Sequence, residues 1–270
     1  MQRALVAMIV LSVLCGVVGA LVHLRHLAFE VDALTHCIFP GVAAAFFTES
    51  SLFVGALVAA GTAAVVLTLT SHSRRIDPDA MLALILAVFF SIGVIIVSRN
   101  RTYTADLSEL LFGRVLTLSW GDIAAMAAVA FAACALLAAC AKELLFRAFD
   151  LQASEAMGYA PRRLDLVANV AVALVVVAAA RAVGTALVIA LLITPTAAAR
   201  LISRRVGSLV AGGISIAIIT SVIGLWVSYD ASVHGGLNLA PGSTVVAVLT
   251  LTFILLASGH ALRSRVRSAP

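Results

Sequence analysis

The sequence AFEVDALTHCIFPGVAAAFF, residues 28–47, is the stretch on which the predicted fold depends. It is long enough and apolar enough to cross a bilayer as a single helix. Its first half nevertheless contains Glu30, Asp32 and His36, and a Pro-Gly pair follows shortly after them. An ionisable side chain near the bilayer centre costs roughly 2.5–3.5 kcal/mol. A span that keeps such groups together is therefore predicted to use them.

The Asp-x-x-x-His spacing places Asp32 and His36 on one face of a helix, one turn apart. A carboxylate and an imidazole together form a pair that binds divalent cations. Pro40 removes one backbone hydrogen bond and Gly41 loosens the helix further, and transport sites are built at such broken helices. This combination predicts an ion pathway. The alternative is that the pair only hydrogen-bonds within a helix bundle, with Glu30 solvated near the membrane edge.

The composition is that of an integral membrane protein, because 63% of the 270 residues are hydrophobic and 11% are charged, against about 25% charged in soluble domains. Nine apolar segments can be marked. They are residues 4–22, 28–48, 52–70, 79–98, 121–141, 165–180, 184–199, 207–228 and 243–262. Segments 165–180 and 184–199 are short, and we expect a tight hairpin between them near Arg181 and Gly184. The sequence predicts an all-α polytopic fold with about 8–9 transmembrane helices.

The lysines and arginines predict the orientation of the chain. With nine spans and the C-terminus in the cytoplasm, thirteen of the eighteen fall in cytoplasmic loops and five outside, which satisfies the positive-inside rule. Eight spans would move the N-terminus to the other side. Because these charges lie in short loops between spans, they report topology and do not indicate nucleic-acid binding.

Two connections carry more than a plain loop needs. In residues 149–165, Asp150 is a good helix N-cap, Gly158 a natural stop and Pro161 a barrier to continuation. A short capped helix on the cytoplasmic side indicates a docking site for a partner protein. Residues 105–120 are either an amphipathic interfacial segment ending at Trp120 or an ordinary outer loop.

The last outer loop, predicted at residues 228–242, contains Asp230 and His234 but no lysine or arginine. It either faces a partner that delivers a cation or is simply a solvated loop.

Lys142 is the only lysine, and no glycine-rich phosphate loop precedes it, so the chain cannot host that type of ATPase site. Neither H-E-x-x-H nor G-x-S-x-G appears, and we do not expect an enzyme.

Five stretches, in order, resemble the permease subunits of bacterial ABC-type importers for manganese, zinc or iron. They are residues 1–41, LFGRVLTLSWGDI (111–123), FDLQASEAMGYAPRRLD (149–165), RAVGTALVIALLITPTAAARLISRR (181–205) and LNLAPGSTVVAV (237–248). The resemblance covers nearly the full length. It implies the ABC metal-importer permease fold, with residues 1–270 as one transmembrane domain and a cytoplasmic coupling helix at about 150–160.

The resemblance also implies site residues. The family's metal-coordinating pair falls on Asp32 and His36, before the helix break at Pro40 and Gly41. The coupling role falls on one run that docks into the ATPase subunit: Ala153, Ser154, Glu155, Ala156, Met157 and Gly158. The position before the aspartate is often glycine in the family and is Val31 here, preceded by Glu30, which the resemblance leaves open as a further carboxylate ligand.

The resemblance further implies a second copy of the chain as a homodimer partner, a separate ATPase subunit that holds the ATP, and an extracytoplasmic metal-binding protein that delivers the ion. It places the chain as a multi-pass protein in the lipid of the bacterial plasma membrane. No cofactor is expected on this chain, because the metal is its transported substrate.

Three functions remain in competition at this point. The first is the permease of an ATP-driven importer of Mn²⁺ or Zn²⁺, with manganese slightly favoured because no thiolate is well placed. Raw affinity would favour zinc. The second is a proton- or sodium-coupled transporter that uses Asp32 and His36 as a relay. The third is a structural membrane protein, which fits poorly with an intramembrane Asp and His.

Overall fold

The computed structural model describes residues 2–71, 77–98, 117–203, 205–234 and 239–267, and the regular structure within these ranges is α-helical. The helices in them are α1 (Gln2–Leu24), α2 (Ala28–Cys37), α3 (Phe39–Phe47), α4 (Leu52–Thr70), α5 (Pro78–Ser98), α6 (Trp120–Ala139), α7 (Ala141–Phe149), α8 (Leu151–Ala156), α9 (Pro161–Val183), α10 (Thr185–Ile202), α11 (Val206–Val233) and α12 (Pro241–Arg267).

Within the described ranges, nine helical stretches are long and apolar enough to cross a membrane, with α2 and α3 together forming one of them, Ala28–Phe47. The prediction of an all-α polytopic membrane protein is therefore confirmed. Helices α1 and α9 lie at the centre of the bundle and are mostly buried, whereas only 11% of the span residues of α5 and of α12 are buried. The outer helices thus leave apolar surface for lipid or for another chain.

The break in the second span lies slightly upstream of the predicted position. Helix α2 ends at Cys37, α3 begins at Phe39, and Ile38 separates them. We expected the break at Pro40 and Gly41, but Pro40 occupies the first turn of α3. Proline lacks the amide hydrogen that would bond to the carbonyl four residues earlier, so the interruption appears before the proline and not at it.

The paired late spans are longer than predicted. Residues Arg181 to Val183, expected in the hairpin, belong to α9, and Gly184 alone separates α9 from α10. Gly184 has φ +79° and ψ 158°, a conformation that glycine adopts at no steric cost. The expected reversal point near Arg181 and Gly184 therefore narrows to a single glycine.

The C-terminal end of α11 also differs from the prediction. The helix continues to Val233, so that Asp230 is helical and not part of a loop beginning at residue 228. At the same end of the molecule, the guanidinium of Arg3 lies 5.8 Å from the ring centroid of Trp120. The charge distribution predicts the outer side of the membrane for both of these residues.

Helices α3 and α4 approach each other through two glycines. A Cβ built on Gly41 would collide with the carbonyl oxygen of Gly55, and a Cβ on Gly55 would collide with the carbonyl oxygen of Gly41. Small residues at such contacts allow the two backbones to pack closely in a membrane, where burial of apolar surface does not drive helices together. The pair therefore fixes α4 against the half-helix that follows the break.

We predict that Gly55→Ala lowers the free energy of unfolding by about 1–3 kcal/mol, the usual cost of overpacking. Gly61→Ala is the matched control on the same helix, because a Cβ there meets no described atom within 4 Å. Thermal unfolding of the purified chain in detergent measures both. Equal midpoints for the two variants would contradict the close contact of α3 with α4.

Candidate functional site

Asp32 and His36 lie one turn apart on α2, as predicted. The Nε2 atom of His36 is 3.7 Å from Oδ1 of Asp32, which is too long for a hydrogen bond, and the side chains are 39% and 48% exposed, respectively. The residues around them on the helix, including Val31, Leu34 and Thr35, are buried. The pair therefore forms a polar, open face on a helix that is otherwise packed.

Contacts at the start of α3 fix the position of the helix break, which lies next to this polar face. The ring of Phe39 stacks on Phe90 of α5 with centroids 5.6 Å apart, and it occupies the space that a Cβ on Gly93 would need. Within α2, the hydroxyl of Thr35 donates a hydrogen bond to the carbonyl oxygen of Asp32 at 2.6 Å. Both sides of the break are thus held by specific contacts, and the polar pair sits directly before it.

Glu30 does not join the pair. In the part of the chain that the structure describes, no three His, Cys, Asp or Glu residues come together as a possible metal site. Glu30 interacts electrostatically with Arg25 and Asp165 instead. On a helix it lies about 200° around the axis from Asp32. In a single chain, Asp32 and His36 are therefore two ligands, and further ligands for a metal must come from elsewhere.

The predicted capped helix is present as α8, and we call residues 150–158 the capped segment. The carboxylate of Asp150 accepts a hydrogen bond from the amide of Ala153 at 2.8 Å. The segment ends at Gly158, which has φ +83°. Pro161 then starts α9 in its first turn. Every signal that predicted this segment from the sequence acts where it was expected.

The surface of the capped segment is largely exposed. Leu151 and Met157 are 54% and 67% exposed, and Phe149 just before the segment is 71% exposed. Glu155, Ala156 and Gly158 are exposed as well. Of the predicted coupling residues only Ser154 is fully buried. The arrangement offers apolar side chains to a partner at a site that already has a rigid, capped backbone.

A second Asp-x-x-x-His pair lies at the end of α11. Oδ1 of Asp230 and Nδ1 of His234 are 3.0 Å apart, within hydrogen-bonding distance, and both side chains are more than half exposed. These residues satisfy each other, unlike Asp32 and His36. That the end of α11 faces a cation-delivering partner stays a prediction.

A cluster of three charged residues, which sequence reasoning missed, lies near the capped segment. Asp165 of α9 accepts two hydrogen bonds from Arg147 of α7, from Nε at 3.0 Å and from Nη2 at 2.7 Å. Arg25, between α1 and α2, donates from Nη2 to the same carboxylate. We call Arg25, Arg147 and Asp165 the ion cluster. A carboxylate among the first residues of an apolar span was the available signal, because such a charge needs a partner.

Some predicted features lie outside the described residues. Of the outer segment at residues 105–120, only the last four residues are described, and they include Trp120 at the start of α6. There Ser119 and Asp122 form a capping box, with the Asp122 amide donating to Oγ of Ser119 at 3.1 Å. The interfacial character of residues 105–116 therefore stays a prediction.

Residues 1–259 match the family model described as the ABC 3 transport family. Two curated relatives span most of the chain. The manganese transport system membrane protein MntC of Listeria innocua is 31% identical, covering 94% of this chain and 89% of its own length. The chelated iron transport system membrane protein YfeC of Yersinia pestis is 30% identical, covering 100% and 93%.

A solved structure also matches over most of its length. It is PsaBC from Streptococcus pneumoniae in complex with Fab, with a TM-score of 0.81 and 30% sequence identity. The match covers 94% of this chain and 90% of that one. The agreement extends to the whole helical arrangement and is not confined to one motif.

We predict that Asp150→Ala loosens the capped segment. Loss of an N-cap costs about 0.5–2 kcal/mol, which is large for a helix of six residues. Amide hydrogen exchange at residues 153–157 of the purified chain should accelerate about tenfold, the factor that corresponds to 1.4 kcal/mol. Glu155→Gln removes a nearby charge without touching the cap and should exchange as the wild type does. Equal rates in all three proteins would show that the cap does not hold the segment.

Proposed function

The chain belongs to the ABC 3 transport family, and on that premise we propose that it is the membrane-spanning permease of an ATP-driven importer of a divalent transition metal. The observation that carries the proposal is the open Asp32 and His36 pair before the break in the second span. An imidazole nitrogen and a carboxylate oxygen both ligate divalent metals. A bilayer-spanning helix keeps such a pair half exposed and without a direct hydrogen bond between its members only where an ion or water reaches it.

We infer that the ion pathway is completed by a second copy of the chain. One copy supplies two ligands among its described residues, whereas a bound transition metal takes four or more. A homodimer with Asp32 and His36 of each copy facing its partner would bring four ligands together. The exposed faces of α2 and of the outer helices leave room for such an arrangement.

Manganese is the proposed substrate. The Listeria innocua relative is named for manganese transport, whereas the Yersinia pestis relative is named for chelated iron. Carboxylate and imidazole accommodate Mn²⁺ as well as Zn²⁺, and the Irving–Williams order would favour zinc at any such site. The nearby Cys37 is fully buried on α2, so no thiolate adds to the preference for zinc. Selectivity then depends on geometry and on the partner that delivers the ion.

The capped segment is the proposed contact with a separate ATPase subunit, on which the ATP binds. Its exposed Leu151 and Met157 supply apolar anchors, and its capped backbone is ordered before docking, which lowers the entropic cost of association. The segment lies on the cytoplasmic side if the arginine-rich loops and the C-terminus do, in a bacterial plasma membrane. An extracytoplasmic binding protein would deliver the ion at the opposite side.

In this mechanism the two halves of the second span move relative to each other at Ile38. The carboxylate of Asp32 balances part of the charge of the arriving ion, and neutral His36 donates a nitrogen lone pair. ATP binding and hydrolysis on the partner subunit act on the capped segment, and the resulting rearrangement of the helices opens the site to alternate sides. The competing function, a proton- or sodium-coupled transporter, would need no docking segment.

We predict that Asp32→Ala and His36→Ala each lower ATP-dependent Mn²⁺ uptake at least about tenfold, since loss of a ligand worth 1.4 kcal/mol changes affinity by that factor. The chain is reconstituted in vesicles with its ATPase and binding protein, and Mn²⁺ and Zn²⁺ uptake are compared. Asp79→Ala and His260→Ala are the matched controls, because they remove the same side chains from exposed positions elsewhere. They should transport as the wild type does.

Normal uptake by both site variants would show that the pair is structural. Uptake that needs a proton or sodium gradient and no ATP would favour the ion-coupled transporter. The ion that accumulates fastest in the wild type identifies the substrate.

We also predict that Met157→Asp weakens binding of the ATPase subunit, because a charge replaces an apolar anchor that is 67% exposed. Copurification of the ATPase on the tagged permease measures the effect, which we expect to be at least about tenfold, or 1.4 kcal/mol. Val233→Asp, an equally apolar-to-charged change on a residue 56% exposed at the far end of α11, is the control. Equal copurification of both variants would place the ATPase contact elsewhere.

A further inference from the structure

We propose that Asp165 is a positioning residue that couples the capped segment to the helix bearing Asp32 and His36. It does so by holding Arg147, next to that segment, and Arg25, next to that helix, on one carboxylate. The inference rests on the proposed function, since it concerns how movement of the capped segment reaches the ion pathway. It assigns to the ion cluster a role in transport and not only in folding.

The capped segment is attached to the bundle by few buried residues. Of the nine residues of α7, only Leu144 and Arg147 are buried, and α8 buries only Ser154. Leu144 and Arg147 are three residues apart and so lie on one face of α7. Among the described residues, Arg147 is therefore the only buried charged side chain of α7 and α8, and its bonds to Asp165 connect it to α9.

Asp165 is also connected to the start of α2. Arg25 lies in the turn between α1 and α2, three residues before α2 begins. Glu30, in the first turn of α2, interacts electrostatically with both Arg25 and Asp165. The cluster therefore acts on the turn before α2 at Arg25 and on α2 itself at Glu30, which is only two residues before Asp32. A shift of Asp165 relative to the turn would change the forces on the start of this helix.

The contact between Arg147 and Asp165 is stiff. A guanidinium that bonds both oxygens of a carboxylate has a fixed, planar geometry. The side chains of the ion cluster are only 6–11% exposed. Separating charges at such a depth is unfavourable, because each would remain buried without its partner. When the capped segment moves, Arg147 and Asp165 are therefore expected to move together and not to part.

The ion cluster also has donors with which it can rearrange. The Nη1 atoms of Arg25 and of Arg147 are buried and have no hydrogen-bond partner among the described residues. Unpaired buried donors of this kind are uncommon. They leave each arginine able to donate to a new oxygen atom, and the carboxylate of Glu30 on α2 is one candidate, because Glu30 interacts electrostatically with Arg25. Two arrangements of one network are the requirement for a mechanical switch.

The test measures how many ATP molecules are hydrolysed for each Mn²⁺ ion imported by the permease, ATPase and binding protein in vesicles. Asp165→Asn should raise this ratio at least about fivefold, the lower limit of usual coupling energies, while the complex still assembles and still hydrolyses ATP. Arg147→Lys should raise the ratio in the same direction, since lysine cannot form the two parallel bonds. Arg163 is exposed and lies on α9, the helix of Asp165. Arg163→Lys should leave the ratio unchanged.

A purely structural role would reduce hydrolysis and uptake in proportion and leave their ratio at the wild-type value. That result in an assembled Asp165→Asn complex would overturn the inference. If Asp165→Asn fails to assemble, Arg147→Lys decides by the same ratio. A wild-type complex that imports no Mn²⁺ with ATP would instead overturn the proposed function, and the inference with it.

Discussion

A bilayer supplies no water to the groups inside it, and this constraint explains most of the structure. Backbone amides must bond within helices, so the described residues form helices joined by short turns. Charged side chains must find partners or line a hydrated path. Asp165 and Asp32 differ in their surroundings. Asp165 is surrounded by arginines and buried, whereas Asp32 is left half exposed beside His36.

Local geometry made part of this predictable from the sequence. The relation of Asp32 to His36 follows from the pitch of one helix, and the capped segment follows from Asp150 and Gly158 at its ends, so both were predicted correctly in place. The helix break at Ile38 was misplaced by two residues because a proline acts on the carbonyl of the preceding turn. Gly184 was recognised as part of a turn, but the hairpin was expected to begin near Arg181, where the helix in fact continues to Val183.

Contacts between distant parts of the chain were not predictable in this way. Asp165 is 18 residues from Arg147 and 140 from Arg25, and no periodicity in the sequence joins them. Their meeting depends on how α1, α7 and α9 pack. The sequence shows only that a charge near the start of a span needs a partner. The same limit applied to Glu30, which was left open as a possible metal ligand and instead interacts electrostatically with Arg25 and Asp165.

The proposed ligand set of one chain also has a kinetic meaning. A transported ion must leave its site in every cycle, so a site that wraps it completely would hold it for longer than a useful turnover allows. In the proposed homodimer, Asp32 and His36 of each copy would be the ligands, and the residence time of the ion would depend on how the two copies are placed relative to each other. A small separation of the copies would remove half of the coordination at once and release the ion quickly. A small number of ligands from each copy would thus favour fast release of the ion.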